Sequence, residues 1–60
     1  MKKLKELRKE QGTSITFAAN YIGVTTQTLR NKENGKTEFT LKEARKLAKL
    51  YNASLDEVID

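Results

Sequence analysis

Sixty residues with twelve Lys or Arg, eight Asp or Glu and a net charge of +4 allow one small domain, residues 1–60, and favour a polyanionic partner. The chain has no cysteine and no histidine, which excludes a disulfide framework and any thiolate or imidazole metal site, so no cofactor or metal is expected. No apolar run approaches the roughly 20 residues of a membrane span, and a cytoplasmic location is expected.

The charge is unevenly placed. All twelve basic residues lie between Lys2 and Lys49, whereas the stretch from Leu50 to the end carries only Asp56, Glu57 and Asp60. A basic body with an acidic tail suits a polyanion approached from one side; a solvated charged surface is the alternative. There is no proline and there are only three glycines, so an all-α reading meets no obstruction.

Met1 to Gln11 reads as a basic amphipathic helix, with Leu4 and Leu7 inward and Lys2, Lys3, Lys5 and Lys9 in water; Gly12 stops it. Ser14 is the expected N-cap of the second helix. Ile15, Ala18, Ala19 and Ile22 are spaced i, i+3, i+4 and i+7 and form its apolar stripe. Phe17 and Tyr21, at i and i+4, stack on one flank. Gly23 follows, where the chain leaves the helix with positive φ, and Val24 plugs the turn.

Thr25 caps a third helix, about Thr26 to Asn34, ended by Gly35. Leu29 is its one apolar anchor, and Thr26, Gln27, Thr28, Arg30, Asn31 and Lys32 are polar. Such a helix is held by its neighbours and offers hydrogen-bonding groups outward, as the second helix of a helix-turn-helix does.

Lys36 to Phe39 reads as a loop with Phe39 tucked under the fourth helix. Thr40 and Glu43 form a capping box, and Leu41, Ala44, Leu47, Ala48 and Tyr51 are expected to make the fourth helix's buried stripe. Asn52 supplies the left-handed stop. A second box, Ser54 with Glu57, opens a short fifth helix carrying Leu55, Val58 and Ile59.

The runs LKELRKEQG, AANYIGV, TTQTLRNKENGK and TLKEARKLAKLYNASLDEVI occur in this order with no large insertion. In them the chain resembles the phage repressor and Cro-type (Xre-like) helix-turn-helix DNA-binding domains. The resemblance implies a compact five-helix, lambda-repressor-like fold, with the helix-turn-helix formed by helices two and three. It further implies a bacterial, nucleoid-associated regulator, of phage or mobile-element repressor type, binding a double-stranded DNA operator.

Thr26, Gln27, Arg30 and Asn31 are the expected base readers. Asn and Gln can pair bidentately with adenine, Arg with guanine, and a Thr methyl can meet thymine's. Matching positions in the related repressors touch base edges. Phosphate contacts are expected from the helix N-terminus at Ser14 and Ile15, from Asn34, Lys36 and Thr37, and from Lys42. Two candidate contact positions depart from the family pattern. Ile15 stands where Gln is common and cannot brace a phosphate through its side chain. Lys32 stands where an apolar residue is common and is expected to lay its stem over Leu29 with its ammonium free for a phosphate. The family also has a large aliphatic residue where Ala18 stands, and Phe17 is expected to fill that space. From position and family, Arg8 and Glu33 are expected to form a partly buried ion pair joining the first helix to the third.

One small domain reaches about one half-site, so a homodimer on a near-palindromic operator is expected, with Leu55, Val58 and Ile59 as candidate contacts. With sixty residues no ligand-sensing domain and no small-molecule ligand are expected. A protein-interaction module on the same fold, of antirepressor or antitoxin kind, is the alternative; Ile15, Phe17 and Tyr21 would form its surface. Catalysis is not expected, because Glu33 with Glu38 and Asp56 with Glu57 are better explained structurally.

Overall fold

The computed structural model describes residues 2–58. Five helices follow one another: α1 Lys2–Glu10, α2 Ile15–Ile22, α3 Thr26–Glu33, α4 Leu41–Leu50 and α5 Leu55–Val58. Among the described residues there is no strand, and no helix is long and apolar enough to cross a membrane. The architecture is the all-α, lambda-repressor-like one. The beginning and end expected for the outer helices, at Met1 and Ile59, lie outside the described residues.

Local chemistry accounts for most of the boundaries. Ser14, Thr25 and Thr40 are N-caps, each accepting a hydrogen bond from the amide three residues on. Thr40 and Glu43 exchange both bonds of their box, at 3.1 and 2.9 Å. Ser54 and Glu57 do the same at the start of α5. Gly23 ends α2 with φ 80°, a conformation that costs other L-residues energy. Asn52 holds φ 57° after α4 without a glycine's freedom, as Asn tolerates best. Asn34 follows α3 as its C-cap and is not part of the helix.

The core collects Leu4 and Leu7 of α1, Ala18, Ala19 and Ile22 of α2, Leu29 of α3, Phe39, Ala44, Leu47 and Ala48 of α4, Tyr51, and Val58 of α5. α1 packs on α3, α4 and α5, while α2 packs on α3 and α4. Ala18 is fully buried within this core, and Phe17 does not fill the space expected for it. Phe17 instead points outward, 54% exposed, stacked on a 44% exposed Tyr21 with ring centroids 6.4 Å apart. Ile15 and Val24 are only half-buried at the core's edge.

Leu41 departs from the expected stripe and is 51% exposed. It is the first residue of α4, and a helical side chain leans toward the N-terminus, so Leu41 projects past the end of the packed face. Val58 is likewise reassigned. Expected at a dimer contact, it is 0% exposed within the single chain and belongs to its core. Leu55 is half-buried against that core, and Ile59 lies outside the described residues.

Candidate nucleic-acid interface

The turn between α2 and α3 has three residues. Val24 donates its N–H to the Ala19 carbonyl at 3.0 Å, and Gly23 donates to Asn20 at 3.2 Å, closing α2. Thr25 then turns the chain: its backbone is extended, its hydroxyl accepts from the Thr28 amide at 3.1 Å, and its carbonyl accepts from Leu29. α3 is thus launched with a satisfied first turn, and Leu29 enters the core.

The four expected readers share α3. Gln27 and Arg30 are exposed, and Thr26 and Asn31 are half-buried. Gln27 Nε2 donates to Asn31 Oδ1 at 3.2 Å across one helical turn. The bond orders both amides without exhausting them. Gln27 keeps its Oε1 acceptor and a second N–H, the pair that adenine requires.

The expected phosphate ligands fall into two groups. Ser14, Lys36, Thr37 and Lys42 are exposed, and the Lys36 backbone N–H donates to the Asn31 carbonyl at 2.9 Å, holding the loop against α3. Ser14 Oγ is occupied by the Phe17 amide. Ile15 offers only backbone, at the N-terminus of α2. The remaining two are engaged within the protein. Asn34 Oδ1 accepts from Lys5 Nζ at 2.9 Å. Lys32, expected with a free ammonium, donates to the Glu38 carbonyl at 2.9 Å, pairs with Glu43 Oε1 at 3.0 Å and lies 5.9 Å from the Phe39 ring centre. Its stem crosses toward α4, where an anion and a carbonyl outcompete water.

Arg8 and Glu33 meet in a two-pronged pair. Arg8 Nε lies 2.8 Å from Glu33 Oε2, and Nη2 donates to Oε1 at 3.2 Å. A third arginine donor, Nη1, reaches the Thr13 carbonyl at 3.0 Å, so one guanidinium ties α3 to the exit of α1. Glu33 is 3% exposed, which makes this a brace of the helix and gives the carboxylate no access to a substrate.

Burial opposes ionisation of Glu43. The Thr40 amide and the Lys32 ammonium more than offset it, and the carboxyl lies below its ordinary 4.5. Tyr51 is pushed the other way, up to about 12, by burial first and the Glu33 carboxylate second, with Arg8 opposing. Its hydroxyl is buried and has no hydrogen-bond partner among the described residues.

Sequence reasoning missed the Lys5–Asn34 and Lys32–Glu43 contacts. The second left a trace: a cation stands alone where an apolar residue fits, and a capping glutamate has a carboxylate oxygen to offer. The exposed cations of α4 were also under-read. Lys42, Arg45, Lys46 and Lys49 are all exposed and sit at i, i+3, i+4 and i+7 on one face.

Known proteins place this geometry. A helix-turn-helix family model matches residues 4–58. A protein of Pyrococcus horikoshii named as an HTH-type transcriptional regulatory protein is 37% identical over 59 residues, 98% of this chain and 19% of its own length. A protein of the same description in Pyrococcus abyssi is 34% identical over the same extents. The chain therefore spans about a fifth of the length of the curated relatives it matches. No solved structure matches the chain significantly. A helix-turn-helix match that begins at Leu4 and ends at Val58 takes in all the core residues as well as the turn, and the chain belongs to the Cro/C1-type helix-turn-helix DNA-binding family.

Proposed function

We propose that this chain is a sequence-specific, double-stranded DNA-binding transcriptional regulator, a repressor of phage or mobile-element Cro type. α3 enters the major groove, and Thr26, Gln27, Arg30 and Asn31 meet base edges there. Ser14 and the α2 N-terminus, Lys36, Thr37 and Lys42 contact phosphates. The observation that carries this reading is α3 itself, which buries only Leu29 and Glu33 and turns Gln27 and Arg30 outward on a capped, braced helix. A helix this polar has little reason to be so firmly fixed unless the fixed side chains read something. The family and the regulatory description of the Pyrococcus relatives support the same reading.

One such domain covers about one half-site, and a pair of domains on a near-palindromic operator gives useful affinity. Leu55 is the described residue left to contribute to pairing, since Val58 serves the core. The exposed Phe17–Tyr21 stack favours a second reading, in which α2 presents a protein-contact surface.

Selection of bound sequences from random duplex DNA tests the proposal. A defined, near-palindromic sequence is expected, bound as two copies. Gln27→Ala with Arg30→Ala should then cost on the order of 2–5 kcal/mol of specific binding, from two lost base contacts. A folded double variant with full specific affinity rules out α3 as the reader. Lys36→Ala should weaken specific and random duplexes alike and lower the salt slope by about one. Recovery of no sequence at all would favour the protein-contact reading.

A further inference from the structure

Residues 32 and 33 close α3, and they lie about 100° apart around its axis. Each carries a charged brace, in a different direction. Glu33 goes to Arg8 on α1. Lys32 goes to Glu43 on α4 and to the Glu38 carbonyl in the loop between. The Lys32 and Glu43 side chains are only 12% and 17% exposed, so the pair is shielded from competing water and salt. Glu43 is itself immobilised, because its Oε1 also accepts the Thr40 backbone N–H. The ammonium thus ends on a fixed point of a well-packed helix.

A single apolar anchor fixes the depth of a helix better than its roll. Leu29 is that anchor in α3, and a rotation about the axis through it would carry Gln27, Arg30 and Asn31 sideways. For a helix whose side-chain tips lie roughly 5–6 Å from the axis, about 10° of roll moves a tip by about 1 Å. Base reading by paired hydrogen bonds tolerates roughly half of that. Two braces at different angles remove this freedom, and one alone leaves part of it.

Resting on the proposed reading of DNA by α3, we propose that Lys32 is a positioning residue for sequence specificity: its ion pair with Glu43 fixes the roll of α3 and so the aim of Gln27, Arg30 and Asn31. Lys32 itself contacts no base and no phosphate.

Two variants with opposite charge changes test this. Lys32→Met keeps an unbranched side chain of similar length and removes one positive charge. Glu43→Gln keeps an oxygen for the Thr40 amide and removes one negative charge. The intact chain and both variants are titrated at one salt concentration against the selected duplex and against a random duplex of the same length. Thermal melting is followed in parallel. The specificity ratio is expected to fall about five- to tenfold in both variants, with little change in melting, as for a charge pair acting at a distance from the ligand. Lys32→Arg should restore most of it.

A phosphate contact behaves differently. Lys32→Met would then weaken both duplexes equally, and Glu43→Gln, with the cation retained and the net charge raised, would strengthen both. That pattern overturns the proposal, as does an unchanged ratio in either variant. Should Lys32→Met melt early, the Glu43→Gln ratio decides. An intact chain with no preference between the two duplexes is the separate failure of the DNA-reading proposal, visible before any variant is compared.

Discussion

α4 and α3 are neighbours built on opposite principles. α4 presents Ala44, Leu47, Ala48 and the adjoining Tyr51 to the core, and its capping box satisfies its first turn. Burying one leucine alone stabilises by about 1.5–3 kcal/mol, so this helix is held by area. α3 gives the core Leu29 and little else that is apolar. Its attachment is polar and directional: the Thr25 cap, the Arg8–Glu33 fork, Lys32 on Glu43, and Lys5 on Asn34. Area resists separation but permits small sliding, whereas short charged hydrogen bonds set an angle. The difference teaches that in this chain the part that must be stable and the part that must be aimed are distinct, and are held by different forces.

The Arg8–Glu33 fork gives the largest effect by which to break that division. Arg8→Met leaves a buried carboxylate unpaired and should destabilise the fold by on the order of 3–5 kcal/mol in urea unfolding. Adding Glu33→Leu should recover much of the loss, because the cost lies in the stranded charge more than in the lost pair. A double-mutant cycle with no coupling would mean that α3 is held by area after all.

Loss of a cap sharpens the comparison at a smaller scale. Thr25→Ala and Thr40→Ala each remove the acceptor for one amide, of Thr28 and Glu43 respectively, and each should cost about 1 kcal/mol of stability. Their effects on DNA should part company. Thr25→Ala frays the start of α3 beside Thr26 and Gln27 and should lower the preference for the selected duplex. Thr40→Ala leaves the Thr40 N–H on Glu43 Oε1, so it should lower stability with a smaller loss of that preference. Equal losses of specificity in the two variants would erase the distinction between held and aimed helices.

The two principles also differ in how far they show in a sequence. Most inner helix boundaries were legible, since Ser14, Thr25, Thr40 and Ser54 begin helices and Gly12, Gly23, Gly35 and Asn52 follow them, although α3 stops at Glu33 with Asn34 as its cap. Periodicity found most of α4 and failed at Leu41, because it records a face and not where the packed body ends. It could not show that Ala18 is itself fully buried while Phe17 stays outside the core. The charged attachments of α3 were legible only in part. The meeting of Arg8 with Glu33 followed from position and family resemblance. Lys32 depends on where the loop brings the Glu38 carbonyl and Glu43, and no periodicity encodes that distance.

The smallest expected effect tests the place where the two systems touch. Tyr51 ends α4, with its N–H on the Leu47 carbonyl and its ring in the core, and its hydroxyl is buried, has no partner among the described residues and senses the charges of Glu33 and Arg8. An unpaired buried hydroxyl costs stability, so Tyr51→Phe should not destabilise and should gain up to about 1 kcal/mol. The pH dependence gives a sharper sign. Burial and the Glu33 carboxylate raise the phenol from 10 to about 12, so the folded chain keeps its proton through a range in which the unfolded chain loses it. Below pH 10 the phenol's titration costs the wild type nothing, and its stability falls as the pH rises toward about 12. Every other group is common to both proteins, so the difference between wild type and Tyr51→Phe isolates the phenol. Unfolding free energies measured from pH 8 to 12 should therefore show the phenylalanine variant level or slightly ahead below pH 10, and increasingly ahead above it. A flat difference across that range would show that burial and Glu33 do not hold the phenol's proton, and a loss of more than about 1 kcal/mol at pH 8 would show that the hydroxyl is paired within the charged attachment of α3, so that α4 too is held there by polar bonds and not by area alone.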